Sequence, residues 1–185
     1  MTMLIILGIV VLFILWVVFA YNRLIRMTNN TKESWADIDV QLKRRYDLIP
    51  NLVNTVKGYA THESSAFENV SKARSAAMGA TGLADKGQAE ATLAGALKSV
   101  FAIAEAYPEL KANQNFLSLQ NDLTDTEDKI QAARRFYNGN VRDLNTTIQM
   151  FPGNIIASMF HISAVEFFQL DAADAAAKQP VEVKF

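Results

Sequence analysis

The sequence predicts an all-α protein: an N-terminal transmembrane helix followed by a long antiparallel bundle of four helices. Three observations predict it. The chain opens on an uncharged apolar run, MLIILGIVVLFILWVVFA, from Met3 to Ala20. Beyond that run, apolar residues recur at steps of three and four over most of the 185 residues. Glycine (8) and proline (4) are sparse, and the stretches between them are rich in Ala, Leu, Lys, Glu and Gln, all good helix formers. Four regions are expected: an anchor at 1–21, a juxtamembrane segment at 22–30, the bundle at 31–170 and a tail at 171–185.

The apolar run covers roughly 27 Å at ~1.5 Å per residue, close to the thickness of the hydrocarbon layer. Leu4, Ile5, Val11, Phe13, Trp16 and Phe19 are its expected lipid-facing side chains. A cleavable signal peptide, cut after Val18-Phe19-Ala20, is the rival reading. No basic region precedes the run, and it exceeds the usual length of a signal core, so a retained span is favoured. Arg23, Arg26 and Lys32 follow the span. The positive-inside rule then puts the short N-terminus outside and the body in the cytoplasm. Arg23 and Arg26 are placed to meet lipid headgroups.

Asn29, Asn30 and Thr31 are helix-start residues, with Glu33 in the first turn. From there a stripe runs through Trp35, Ile38, Leu42, Tyr46, Ile49, Leu52 and Val56 on to Phe67, Val70, Ala73 and Ala77. Met78 to Gln88 reads as a glycine-rich surface loop. A second helix is expected from about Ala89 to Tyr107, ended by Pro108. A third begins near Asn113 or Asn115. It carries a heptad seam of Phe116, Leu119, Leu123, Thr126, Ile130, Ala133 and Tyr137. The seam slips at Asn138-Gly139-Asn140 and resumes at Val141, Leu144 and Ile148, before Pro152 closes the helix. A short helix at 154–160, the aromatic pair Phe167 and Phe168, an Ala/Asp stretch at 171–177 and an extended end at 180–185 complete the chain.

Two features need a physical resolution. Pro50 stands in the middle of the first stripe, where it removes a backbone donor and crowds the carbonyl of Tyr46. Either the helix continues with a bend at Pro50, or it ends near Tyr46 and restarts with Asp47 as cap. In addition, the second helix is much shorter than the third, so Val141, Leu144 and Ile148 overhang it and need a cover. The segment 155–168 folded back after Pro152 is one candidate cover. A neighbouring subunit is the other, which makes Val141, Leu144, Ile148, Phe167 and Phe168 interface candidates.

Chemistry is thinly represented. Cysteine is absent, which excludes disulfides, thiolate metal sites and a cysteine nucleophile. The two histidines, His62 and His161, stand outside any Glu-x-x-His or His-Glu-x-x-His pattern. Gly79 to Gly82 follows a helix rather than a strand and lacks the Lys-Ser/Thr of a phosphate loop. Eighteen Lys and Arg against nineteen Asp and Glu give a net charge of −1, with no basic surplus for a nucleic-acid partner. No catalytic residue, cofactor or metal is therefore assigned. Glu63, Glu127 and Arg134 lie on or beside the apolar stripes and read as buried polar residues that fix helix register; lining a ligand pocket is their functional alternative. Lys43-Arg44-Arg45 splay around a helix and read as a solvated face.

The blocks SWADIDVQLKRRYDLIPNLVNTVKGYATHE, AYPELKANQNFLSLQNDL and EDKIQAARRFYNGNVRDLNTTIQMFPGNIIASMF, following a span and YNRLIRM, resemble the LemA family over nearly the whole chain. One departure is Phe160-His161, where the family pattern has Phe-Gly. The resemblance implies a small single-span protein of the bacterial inner membrane with a cytoplasmic helical bundle. The family supplies no agreed activity, cofactor or catalytic residue. By analogy alone it points to membrane organisation. The expected function is a non-enzymatic scaffold in the lipid membrane that forms homo-oligomers. An adaptor docking a membrane-protein partner, such as a protease or quality-control factor, is the alternative.

Overall fold

The computed structural model describes residues 1–169, and among them the chain is all-α, with six helices and no strand. These are α1 (Thr2–Lys57), α2 (Ser64–Gly79), α3 (Leu83–Glu105), α4 (Pro108–Lys111), α5 (Gln114–Gln149) and α6 (Gly153–Met159). The Ala/Asp stretch and the extended end expected at 171–185 lie outside the described residues.

Helix α1 has no start at Asn29–Thr31. It is one helix of 56 residues. The Thr31 hydroxyl that suggested a cap is satisfied inside the helix instead, as is that of Thr28 one turn before. Thr28 donates to the Leu24 carbonyl at 3.0 Å, and Thr31 to that of Met27 at 2.9 Å. A hydroxyl bonded back to the previous turn no longer competes for the backbone. Helix α1 also continues through Pro50. It stops at Gly58, so the long stripe is shared by two helices: Gly58–Glu63 forms a tight connection in which the Val56 carbonyl accepts from both Tyr59 and Ala60 at 3.0 Å.

The expected loop at Met78–Gln88 contracts to Ala80–Gly82. Gly82, at φ +89°, takes a backbone conformation that L side chains rarely adopt, and α3 begins at once. Asn113 caps α5 with its side-chain oxygen, which accepts from Asn115 N at 2.9 Å and Phe116 N at 3.1 Å. Helix α5 passes through Gly139 unbroken.

The chain divides into two compact units, and helices α1 and α5 contribute to both. Met1–Asp37 with Ala133–Phe167 forms the first. Its core is Leu24, Leu144, Ile156 and Ala157, with Val17, Tyr21, Met27, Ile148, Ile162 and Val165 packed around them. An edge-to-face pair, Trp35 and Tyr137, has ring centres 5.5 Å apart. The extended chain after α6 is pinned to α5. The Asn145 amide donates to the Val165 carbonyl at 2.8 Å and accepts from its N–H at 2.9 Å, while the Tyr137 hydroxyl donates to the Glu166 carbonyl at 3.0 Å.

The second unit is Ile38–Ala132 with the chain from Phe168. Leu42, Ile49, Leu52 and Val56 of α1 are buried in it, as are Phe67 and Val70 of α2, Leu93 and Val100 of α3 and Ile130 of α5. Phe168 is fully buried. Gly87 lets it in: a Cβ there would collide with the Gln169 carbonyl and touch the Phe168 ring at 3.9 Å.

Of the two covers expected for the overhang, the segment folded back after Pro152 is the one that packs on it, with Ile156, Ala157, Ile162 and Val165 against Leu144 and Ile148. Val141, Leu144 and Phe168 are buried within the chain, and Ile148 is half-buried against the first unit's core. Of the five interface candidates only Phe167 is exposed.

Candidate functional site

The second unit holds a charged cluster where apolar side chains would be expected. Arg45 of α1 is 3% exposed and Glu90 of α3 is 1% exposed. The Arg45 guanidinium donates to the Glu90 carboxylate and, through its other terminal nitrogen, to Glu127 of α5 at 2.6 Å. The Tyr46 hydroxyl donates to the second Glu90 oxygen. Lys86, also buried, lies one turn before Glu90 on α3. It donates to the Ala77 carbonyl at 3.1 Å and sits over the Tyr46 ring at 5.4 Å. Ala77 is in the last turn of α2, where carbonyls have no partner along the helix and which carries no basic residue of its own. Lys86 supplies that missing cation from the next helix.

Two cations and two carboxylates balance, so the cluster is formally neutral and touches α1, α2, α3 and α5. Removing Arg45 and Glu90 from water is costly, and their pairing offsets the cost, while Glu127 keeps part of its side chain in solvent. Burial pushes the Tyr46 hydroxyl up from 10.0 to about 12; the Arg45 charge pulls the other way and Asp39 adds to the rise. Tyr46 is therefore a neutral donor to Glu90 at ordinary pH. Among the described residues, two buried side-chain atoms have no hydrogen-bond partner, Arg45 Nε and Gln41 Oε1. They are a donor and an acceptor one helical turn apart.

The same region resolves the proline. Without an N–H at Pro50, the Tyr46 carbonyl loses its partner within α1. Arg74 of α2 takes it, Nε donating at 2.7 Å. A side chain from the neighbouring helix thus stands in for the missing backbone donor.

The register candidates from the sequence are placed as follows. Glu127 pairs with Arg45. Glu63 precedes α2 at its N-cap position, without a side-chain capping bond, so its charge lies at the positive end of that helix. Arg134 is half-buried and belongs to the first unit. Arg45, read as part of a solvated run, is the buried centre of the cluster. Lys86, Glu90 and Arg74 were missed. The signal was present for two of them. The α3 positions 104, 100, 97 and 93 step back by four and three, and the same steps reach Glu90, inside the expected helix, and Lys86, which the glycines around it made read as loop.

The first unit carries the other functional surface. Leu4, Ile5, Val11, Phe13, Trp16 and Phe19 are all exposed, and no residue of the most apolar window of α1 is buried. Helix α1 is long and apolar enough to cross a membrane. Arg23 and Arg26, just beyond, are exposed. Among the described residues no group of three His, Cys, Asp or Glu is arranged to hold a metal.

An all-α protein with one membrane-length apolar helix and a neutral ionic cluster at its core is the class these features define. The family model of the LemA family matches residues 34–185, and the chain belongs to that family. It is 26% identical over 186 residues to magnetosome protein MamQ 2 of Paramagnetospirillum magneticum, covering 86% of this chain and 68% of that one. Magnetosome protein MamQ of Magnetospirillum gryphiswaldense is 26% identical over 184 residues, covering 85% and 68%. Protein LemA of Metamycoplasma hominis is 27% identical over 153 residues, covering 80% and 68%. Family membership and the apolar helix together support a membrane-associated protein.

Proposed function

We propose that this protein is a membrane-anchored, non-enzymatic helical scaffold that self-associates and organises the bacterial inner membrane, with its N-terminus outside and its bundle in the cytoplasm. One observation carries the reading. A single uninterrupted helix is apolar and almost wholly exposed from Met3 to Phe19, and further on it buries one face, Ile38, Leu42, Ile49, Leu52 and Val56, in the core. The element that would hold the protein in lipid is therefore also a stave of its core, an arrangement suited to bearing load. The interior supports the same reading: the buried Arg45 and Glu90 pair with each other across two helices, as groups that fix helix register do. The relatives named as magnetosome proteins also favour a part in building a cellular structure. The overhanging end of α5, which motivated self-association and the adaptor alternative alike, is covered by the chain itself, so crosslinking rather than that surface separates the two.

The test is the particle size of the full chain in mild detergent at several concentrations, joined to crosslinking in native membranes. The scaffold predicts a size that rises with concentration and crosslinks between copies. A monomer at every concentration refutes self-association. A single distinct crosslinked band to another membrane protein would replace the scaffold with an adaptor.

A further inference from the structure

The corner between α5 and α6 is unusually apolar for a surface. Met150 and Phe151 are 60% and 78% exposed, and Ile155, Met159 and Phe160 are exposed as well. Five large apolar side chains within eleven residues, left open to water, mark an interaction surface.

Its position says what covers it. A groove of about 250 Å³ is lined on one side by Trp16, Phe19 and Arg23 of α1, and on the other by Met150, Phe151 and Gly153. The Tyr21 and Phe160 rings are 4.4 Å apart, and Val17 packs onto the core that holds Ile156. The corner therefore lies level with residues 16–23, the end of the apolar run. Thr2 to Leu15 alone cover about 21 Å by helical rise, short of a hydrocarbon layer of roughly 30 Å. A span needs the turns from Trp16 to Ala20, and the corner is attached beside those turns. Arg23 lines the groove, and Trp16 and Tyr21 are of the kind that anchors at the interface.

We infer that Met150–Phe160 inserts into the same leaflet as the end of α1, a second lipid contact that adds a fixed foot to the single span. The occupant of this surface is the bilayer itself, with lipid headgroups meeting Arg23 at the edge of the groove. This inference rests on the reading of α1 as a span.

The absence of cysteine makes the test direct. Single nitroxide labels are placed at Leu12→Cys, Phe151→Cys, Met159→Cys and Arg135→Cys in the full chain. The protein is reconstituted in vesicles of phosphatidylcholine and phosphatidylglycerol. Relaxation by oxygen, which partitions into lipid, is compared with relaxation by a water-soluble nickel chelate. Labels at 12, 151 and 159 should respond to oxygen and be shielded from nickel, and the label at 135 should show the reverse. Labels at 151 and 159 as open to nickel as the one at 135, with position 12 still in lipid, overturn the foot and leave the span intact. Position 12 in water overturns both. Dipolar broadening between labels at 151 that persists in detergent would assign the surface to a second copy and also overturn the proposal. Because Phe151 and Met159 are exposed, their replacement leaves the core unchanged, and circular dichroism of each variant verifies this.

Discussion

Arg45 shows how little a residue's neighbours in sequence reveal about its surroundings. It sits between Arg44, which is half-exposed and 3.9 Å and 3.8 Å from Asp122 and Asp125, and Tyr46. A charge run normally splays into solvent, and for Arg44 it does. The 3.6-residue period turns Arg45 inward, in line with Leu42 and Ile49. Breaking one side of its pairing leaves a buried charge alone. Arg45→Met should therefore destabilise the full chain by about 3–5 kcal/mol, read from urea unfolding in detergent. The double variant Arg45→Met with Glu90→Leu should recover a large part of that loss, because it removes both charges. A second expectation concerns pH. With its hydroxyl raised to about 12 from 10.0, folded Tyr46 keeps a proton that the unfolded chain has already released. Its contribution is intact below the unfolded value and is lost as pH climbs from there towards the folded one. Stability should fall over that window, and Tyr46→Phe should flatten the fall. Neither the cluster nor its titration was legible beforehand, because the sequence shows which face a residue occupies but not which charges it meets across the core.

At the scale of elements, the sequence was most informative where apolar period and length agreed. The all-α class, the seam of α5, the stop at Pro108 and a short helix after Pro152 were all readable. Boundaries were missed where a polar residue had a use inside a helix. Thr31 bonds to the preceding turn, and Lys86 looks inward from a glycine-rich stretch. Pro50 left its question open because the answer lies on another helix. Arg74→Met should cost about 1–3 kcal/mol by orphaning the Tyr46 carbonyl. In a Pro50→Ala background the restored N–H can take that carbonyl, so the same substitution should cost clearly less. A double-mutant cycle by chemical unfolding measures the difference. Gly87→Ala should push the 168–169 segment off α3 and expose Phe168, losing about 2 kcal/mol of apolar burial. Limited proteolysis near Gln169 reports it as faster cleavage.

For the whole molecule, the relevant quantity is how membrane and core share one helix. The scaffold reading predicts that copies associate with rising concentration, and the foot predicts that the corner at 151 stays in lipid wherever the span does. The sequence announced the anchor because eighteen consecutive apolar residues leave few other readings. It did not announce the foot, since Met150, Phe151 and Ile155 look like core residues until the fold leaves them outside.

The uninterrupted course of α1 bears on how a water-soluble form could be prepared. Trimming at residue 31, the obvious place to excise an anchor, would take Leu24, Tyr21 and Val17 with it. Leu144 and Ile156 would then lie bare, and the fragment should aggregate. A usable excision point lies further upstream, where the side chains no longer reach the protein's own interior.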